Sequence, residues 1–187
     1  TNLYINSQDL TAASWTASNV TAATSTVVSP DGSSFFTRVT ENATTNTHVI
    51  FTDVATVSGT TYNGSFYVKK GTLASASDWV QLAFRGSGHP TAYCNFNIAT
   101  GAIGNSTGTV LNAIEDIGDG IFRISASSTA DATTGAAGAY LIMLDNADTA
   151  SFNPSYAGST DSDILVWGAQ FEAGSSPSSL VVTNGAT

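Results

Sequence analysis

The sequence has little charge, and most of that charge is negative. Only 10% of the 187 residues are charged, and five lysines and arginines face fourteen aspartates and glutamates, which gives a formal net charge of −9. Nucleic acid binding needs a basic stripe on the protein surface, and five basic residues can hardly form one. The same shortage argues against binding to anionic membranes. We therefore expect no nucleic acid partner and no membrane insertion.

Cysteine, histidine and the usual helix-forming residues are also scarce. The single cysteine, Cys94, excludes an internal disulfide, and its alternation with Phe96 and Ile98 predicts a buried thiol. The opening TNLYINSQDL lacks the basic start and apolar run of a signal peptide, and no stretch has the length of a transmembrane helix. Glu, Lys, Arg and Leu are few, which predicts little or no helix.

What the chain does contain is a series of short alternating segments rich in Thr, Val, Ile and aromatic residues, separated by Gly, Asn, Ser and Pro. Such segments at this chain length predict a single all-β domain over residues 1–187, a two-sheet β-sandwich of the jelly-roll type. About nine strands are predicted, at residues 2–6, 33–41, 48–56, 61–71, 78–86, 91–99, 120–128, 137–145 and 163–172.

Alternation along each predicted strand separates a core face from an outer face. Tyr62, Phe66 and Val68 share one face of their segment, and Leu82 and Phe84 share one face of the next. If the strands between residues 61 and 128 are neighbours in one sheet, its outer face collects aromatic, amide and basic side chains: Tyr67, Lys69, Trp79, Gln81, Arg85, Tyr93, Asn95 and Arg123.

A face of this composition is suited to sugars. Aromatic rings stack on the C–H faces of sugar rings, and amides and guanidinium groups hydrogen-bond hydroxyls or pair with carboxylates. We therefore predict that these eight residues bind a glycan, with Trp79, Tyr67 and Tyr93 as stacking groups. The alternative is that a loop or another subunit covers Trp79 and Tyr93 and that the polar residues are ordinary surface.

Catalytic motifs are absent from the sequence. There is no HExxH, C-x-x-C, G-x-S-x-G or phosphate-binding loop, and the acidic residues cluster in turns rather than as a facing pair. We expect a non-catalytic protein. The most credible enzymatic alternative is a polysaccharide lyase, with His48 or Tyr67 as the base and Arg85 neutralising a uronate.

No cofactor is required by the sequence. Four acidic residues, Asp9, Asp161, Asp163 and Glu172, could supply oxygen ligands to a structural Ca²⁺, although no EF-hand pattern is present. Solvated acidic loops are the favoured explanation of the same residues.

The order of segments resembles that of modules in phage tail-fibre, tailspike and other virion-surface proteins. The resemblance runs from NLYINSQDLTAASW through SPDGSSFFTRVTE and GSFYVKKG to a closing WGAQFEAGSSPSS, and this last motif is its most specific part. The chain departs from the pattern at Ile121 and Leu180, where such modules usually carry aromatic residues. These modules are similar in outline to the jelly-roll carbohydrate-binding modules that accompany xylanases.

The resemblance implies a glycan-binding or adhesion module on a virion or another extracellular surface. Its partners would be a glycan or host-surface polysaccharide and other virion proteins, and homo-oligomerisation stays open. The resemblance also implies that the last strand closes the sandwich beside the N-terminal segment, with Trp167 in the core alongside Leu165 and Phe171. The alternative is a purely structural virion subunit, such as a capsid decoration or fibre protein, with a protein-binding face.

Overall fold

The fold is given by a computed structural model that describes residues 1–185, and this part of the chain contains strands but no helix. The β-rich composition explains that outcome, since β-branched and aromatic residues favour a pleated, half-buried surface. The strands are β1 Thr16–Ser18, β2 Val20–Val28, β3 Phe35–Glu41, β4 Thr45–Asn46, β5 His48–Phe51, β6 Val54–Thr56, β7 Thr61–Lys70, β8 Trp79–Gly86, β9 Ala92–Asn97, β10 Ala102–Thr107, β11 Leu111–Gly118, β12 Ile121–Thr129, β13 Thr134–Met143, β14 Tyr156–Ala157 and β15 Asp163–Ala173.

The strands form two large antiparallel sheets. Sheet 1 has the order β1-β5-β13-β8-β9-β10, with β6 also pairing with β13, and sheet 2 has the order β11-β12-β7-β15-β3-β2. The short strands β14 and β4 pair with each other. The two large sheets pack face to face, and the predicted all-β sandwich is thus confirmed.

The strand order is that of a jelly roll. Strands β3, β15, β7 and β12 are successive neighbours in sheet 2, and β5, β13, β8 and β9 are successive neighbours in sheet 1. Along these eight strands the chain crosses between the sheets at every step except from β8 to β9. Two interlocked Greek keys generate this alternation.

The core between the sheets follows the predicted alternation. Side chains assigned to the core face, among them Phe66, Leu82, Phe84, Cys94 and Phe96, are buried in one apolar cluster. Burial raises the pKa of the Cys94 thiol to about 12, so the thiol stays protonated at neutral pH. The buried thiol predicted from the sequence is confirmed.

A β-bulge in β15 changes which face its side chains occupy. The pairing register of β15 with β7 shifts between Trp167 and Gln170, and Gly168 has a φ of +61°. An extra residue in one strand reverses the alternation beyond it. Leu165 and Trp167 therefore lie in a cluster on the outer face, whereas Phe171 lies in the central core. Trp167 is buried, but the prediction that it shares a face with Phe171 is wrong.

The N-terminal segment is not the strand that was predicted at residues 2–6. It is irregular, yet it runs beside the C-terminal end of β15. The amide of Leu3 donates to the carbonyl of Phe171 at 2.7 Å, and the amide of Ala169 donates to the carbonyl of Ser7 at 2.8 Å. The predicted closure of the last strand against the N-terminal segment is present without a regular ladder. The predicted strand at residues 48–56 is divided into β5 and β6. The sequence analysis missed β2, β10 and β11 and the short strands β1, β4 and β14, because their small and polar residues give a weak alternating signal.

Close sheet packing makes a first testable prediction at Gly64. A Cβ there would lie 2.2 Å from the Cβ of Ala139 on the opposite sheet, and its other neighbours are at ordinary contact distances. Gly64→Ala is expected to lower the free energy of unfolding by about 1–3 kcal/mol, because the sheets must move apart. Adding Ala139→Gly removes the contact and should recover most of that loss in urea denaturation.

A matched control for this pair is Gly135→Ala. No atom lies within 4 Å of a Cβ at Gly135, so the free energy of unfolding of the Gly135→Ala variant should stay close to that of the unmodified protein. A neutral Gly64→Ala variant, or one that Ala139→Gly fails to rescue, would contradict the sheet packing described here.

Candidate functional site

The eight predicted sugar-binding residues do not share one sheet. Strands β7 and β12, with Tyr67, Lys69 and Arg123, belong to sheet 2, whereas β8 and β9, with Trp79, Gln81, Arg85, Tyr93 and Asn95, belong to sheet 1. The chain crosses the sandwich between β7 and β8, so the two groups lie on opposite outer faces. The sequence interpretation assumed that all eight residues share one face of one sheet, and this assumption is wrong.

The outer face of sheet 1 is covered by a segment that we call the lid, residues 145–155. Gln81 Nε2 donates to the carbonyl of Ser151 at 2.9 Å, and the amide of Asn153 donates to Gln81 Oε1 at 2.7 Å. Asn95 Nδ2 donates to the carbonyl of Thr149 at 2.7 Å. Both amide side chains are fully buried. Hydrogen-bonding capacity that the sequence analysis assigned to sugar hydroxyls is thus used by the lid backbone.

Aromatic residues on the same face are covered as well. Tyr93 is buried, and its ring centroid lies 6.2 Å from that of Phe152 in the lid. Trp79 is half-buried in the same apolar cluster and lies against Gly104 of β10, where a Cβ would approach the indole to 2.6 Å. A covering loop, the alternative left open by the sequence, is what the structure shows at Tyr93.

The outer face of sheet 2 is crossed by a segment that we call the strap, residues 174–183. The amide of Ser178 donates to Glu172 Oε1 at 2.7 Å, and the amide of Val181 donates to Gln170 Oε1 at 2.7 Å. Arg123 Nη2 donates to the carbonyl of Ser178, also at 2.7 Å. The polar residues of the closing WGAQFE motif therefore hold the strap, which explains why a buried strand leads into a Gly/Ser/Pro turn and a last extended segment.

An open groove remains beside the strap. This Tyr67 groove has a volume of about 340 Å³ and is lined by side chains from the turn before β3, from β7, β11 and β15, and from the strap: Pro30, Asp31, Tyr67, Ile117, Trp167, Leu180 and Val182. A volume of this order and a mainly apolar lining with few polar groups are typical of small-ligand sites.

Two aromatic rings form the more buried part of the groove. The Tyr67 and Trp167 centroids are 5.2 Å apart in an edge-to-face arrangement with an interplanar angle of 64°. Trp167 Nε1 donates to Ser34 Oγ at 2.8 Å, which fixes the indole. The Arg123 guanidinium carbon lies 5.4 Å from the Tyr67 centroid and adds a cation–π contact. The ring positions are thus held by the sheet before any ligand arrives.

Asp31 supplies the one acidic side chain of the groove. Its oxygens accept from Ser29 Oγ at 2.6 Å, Ser33 N at 3.0 Å, Ser33 Oγ at 2.6 Å and Gln8 Nε2 at 2.9 Å. Burial alone would raise the pKa of Asp31, but the hydrogen bonds from Ser29, Ser33 and Gln8 outweigh it and lower the pKa below its usual value. The groove therefore carries a fixed negative charge at neutral pH.

Most residues of the groove were missed by the sequence analysis. Trp167 was assigned only to the core, and no binding role was given to Asp31, Ile117, Leu180 or Val182. Five separate segments contribute the lining. No periodic signal connects such segments, so only their meeting in three dimensions reveals the groove. Of the predicted contacts, Tyr67 lines it and Arg123 supports it, while the Lys69 ammonium donates to the carbonyl of Asp119.

The residues considered for a lyase are not brought together. His48 is fully buried in β5, with Nε2 3.2 Å from the carbonyl oxygen of Asn42 and its ring against that of Tyr156. Tyr67 and Arg85 lie on opposite outer faces. The three side chains therefore do not line one cleft, and a substrate has no access to His48.

The acidic residues considered for Ca²⁺ also have other partners. Asp163 is buried, lies 3.5 Å from Arg38 Nε and accepts from the amide of Leu73 at 2.9 Å. Asp9 accepts from the amide of Thr11 at 2.9 Å. Within residues 1–185, no cluster of three or more His, Cys, Asp or Glu side chains is arranged to hold a metal ion. The residues present do not fit the Ca²⁺ site considered from the sequence.

Comparison with protein-family models and with curated proteins gives no match for this chain. In the part of the chain that the structure describes, no helix is both long and apolar enough to cross a membrane.

Proposed function

We propose that the protein is a non-catalytic glycan-binding module of a virion or another extracellular surface structure, and that it holds a sugar in the Tyr67 groove. The observation that carries the proposal is the groove itself, where Tyr67 and Trp167 are fixed beside exposed apolar side chains in an open site of about 340 Å³. Sugar rings present C–H faces that contact such aromatic and aliphatic surfaces favourably. The resemblance of the chain to virion-surface modules supports the proposed location.

Local charge selects the class of glycan. Asp31 is ionised in the groove, and none of the described residues that line the groove is a lysine or arginine. An anionic sugar would meet the Asp31 carboxylate with no basic lining residue to compensate, and like charges at close range repel. The Tyr67 groove therefore favours neutral sugars.

A structural role in an assembly is the second candidate, favoured by one observation. Strand β10 is at one edge of sheet 1 and β11 is at one edge of sheet 2. Exposed apolar side chains lie on these two strands and on the segment that joins them: Ile103, Val110, Leu111 and Ile117. Exposed apolar residues on unpaired edge strands favour association with another chain. A structural subunit would self-associate through this edge and would bind no glycan.

Tyr67→Ala is the decisive variant for the glycan proposal. Neutral glycans that bind the unmodified protein on an array should bind this variant about 5- to 150-fold more weakly, because about 1–3 kcal/mol of ring contact is lost. Isothermal titration with the best glycan measures the change, and a thermal melt shows whether the variant is folded.

Ile103→Ala is the matched control, since it shortens an exposed apolar side chain at the far edge of sheet 1 and should leave glycan affinity unchanged. Equal affinity of Tyr67→Ala and the unmodified protein would place any sugar elsewhere. Silence on all glycans, together with concentration-dependent self-association in analytical ultracentrifugation, would favour the structural subunit.

A further inference from the structure

The loop between β8 and β9, residues 87–91, is packed closely against its neighbours, and we call it the latch. The amide of Ser87 donates to the carbonyl of Ala136 at 3.2 Å, and the carbonyl of Gly88 accepts from the amide of Asp131 at 3.1 Å. A Cβ at Gly88 would lie 2.5 Å from a methyl carbon of Thr134 and 2.6 Å from the hydroxyl oxygen of Thr56. The latch therefore has little room for a small local rearrangement.

The latch inserts the ring of His89 between three aromatic core residues. The ring centroid lies 5.2 Å from that of Phe84, 6.0 Å from that of Tyr62 and 6.3 Å from that of Phe171. His89 is 8% exposed, and neither ring nitrogen has a hydrogen-bond partner among residues 1–185. Packing alone thus holds the neutral imidazole, and these surroundings offer nothing that would stabilise a charged one.

The charges around the ring do not compensate for its burial. Within the described part of the chain, no carboxylate oxygen lies within 4 Å of a His89 nitrogen. The charged and titratable neighbours are Asp131 between β12 and β13, Tyr62 on β7, and Arg85 on β8, which lines the adjoining cleft. Burial lowers the pKa of His89 to about 4, although the charge of Asp131 acts in the opposite direction.

We propose that the latch is an acid-sensitive element: protonation of the His89 imidazole releases the ring from the core and opens residues 87–91. Both N–H groups of an imidazolium need an acceptor, and the closed latch supplies none. Because the packing around Gly88 leaves little room to turn the ring alone, the loop backbone moves with it. Opening uncovers the rings of Phe84, Tyr62 and Phe171, so acid exposes apolar surface that is hidden at neutral pH.

The latch is independent of glycan binding. Tyr62, which packs on His89, lies in the core between the sheets, whereas Tyr67 of the same strand lies in the cluster on the outer face. Opening of residues 87–91 therefore does not require a change in the Tyr67 groove, and the two proposals can fail separately.

Proton linkage gives the direction and the size of the effect. In the open latch His89 has its ordinary pKa of 6.5, and in the closed latch its pKa is about 4, so the open form binds the proton more tightly. The closed form keeps its full stability above about pH 6.5 and loses it progressively as the pH falls toward 4. Between pH 7 and pH 5, the ratio of open to closed latch should rise about 20-fold.

Hydrogen exchange of the full chain at pH 7 and pH 5 tests the proposal. Protection factors, which relate each exchange rate to that of an unstructured peptide at the same pH, should fall about 20-fold for the amides of Ser87 and Asp131. The amide of Gly101, bonded to the carbonyl of Asn97 in the turn between β9 and β10, should keep its protection. His89→Phe preserves an aromatic ring but cannot titrate, so its latch amides should be equally protected at both pH values.

Pro90→Ala is the matched control, because it loosens an exposed position of the latch and keeps the imidazole. Opening should increase at both pH values, and the 20-fold ratio between them should remain. Equal protection of the unmodified latch at pH 7 and pH 5, or the same loss in His89→Phe, would overturn the proposal. If His89→Phe does not fold, NMR of the unmodified protein decides: His89 ring resonances that titrate near pH 6.5 while the latch amides stay protected would also overturn it.

Discussion

Replacing Gln81 with leucine is expected to lower the free energy of unfolding by about 3–5 kcal/mol. The change removes the acceptor of the Asn153 amide and the donor to the carbonyl of Ser151 and to Asn95 Oδ1, and both Gln81 and Asn95 are fully buried. Each buried polar group left without a partner costs about 1–3 kcal/mol. Urea denaturation measures the loss, and hydrogen exchange should show faster exchange at the amide of Asn153.

A double-mutant cycle with Asn95→Leu distinguishes a shared network from independent contacts. Gln81 and Asn95 bond to each other and to the lid, so the double variant should cost clearly less than the sum of the two single variants. Additive losses would show that the two amides act as independent contacts. A Gln81→Leu variant that stays within about 1 kcal/mol of the unmodified protein, with unchanged exchange in the lid, would show that Gln81 does not hold the lid.

Glu172→Ala is expected to release the strap and to lower the free energy of unfolding by about 2–4 kcal/mol. Glu172 is buried, accepts from the amide of Ser178 at 2.7 Å and from Ser178 Oγ at 2.8 Å, and is also bonded to Gln170 Nε2 at 2.5 Å. Charge-assisted hydrogen bonds of this kind are the stronger ones in proteins. Limited proteolysis should cut the strap faster in the variant.

The same change should also weaken glycan binding, because the strap contributes Leu180 and Val182 to the Tyr67 groove. Glu115→Ala provides a control, since it truncates an exposed glutamate of β11 and should change stability by no more than about 0.5 kcal/mol. If Glu172→Ala kept both its protease resistance and its glycan affinity, the strap would have to be held by other contacts.

Local sequence pattern was informative wherever a side chain's position depends on its immediate neighbours. The alternation of Phe66, Leu82 and Phe96 correctly placed them in the core, because successive residues of a strand point to opposite faces. The same rule failed across Gly168, where the bulge in β15 shifts the phase and sends Trp167 and Phe171 to different sides. In the sequence, a glycine that follows a tryptophan within a strand is only a weak sign of such a bulge.

The candidate site was less predictable for a different reason. Gln81, Tyr93 and Asn95 lie on an outer face, as the alternation indicates, but the lid that covers them comes from more than fifty residues further along the chain. Amide and aromatic side chains are equally suited to a sugar and to a protein loop. Composition therefore identified surfaces with binding capacity. Only the fold shows that the outer face of sheet 1 uses this capacity to hold the lid of the same chain.

The amino-acid sequence was enough to predict the fold class and the burial of most core side chains, because both follow from composition and from the two-residue period of a strand. It also determined the acidic character that argues against nucleic acid. Three outcomes could be seen only in the folded chain: which strands share a sheet, that the WGAQFE motif holds a strap, and that Tyr67 and Arg85 lie on opposite outer faces. Those outcomes depend on pairings between distant segments, and such pairings leave no periodic trace in the chain.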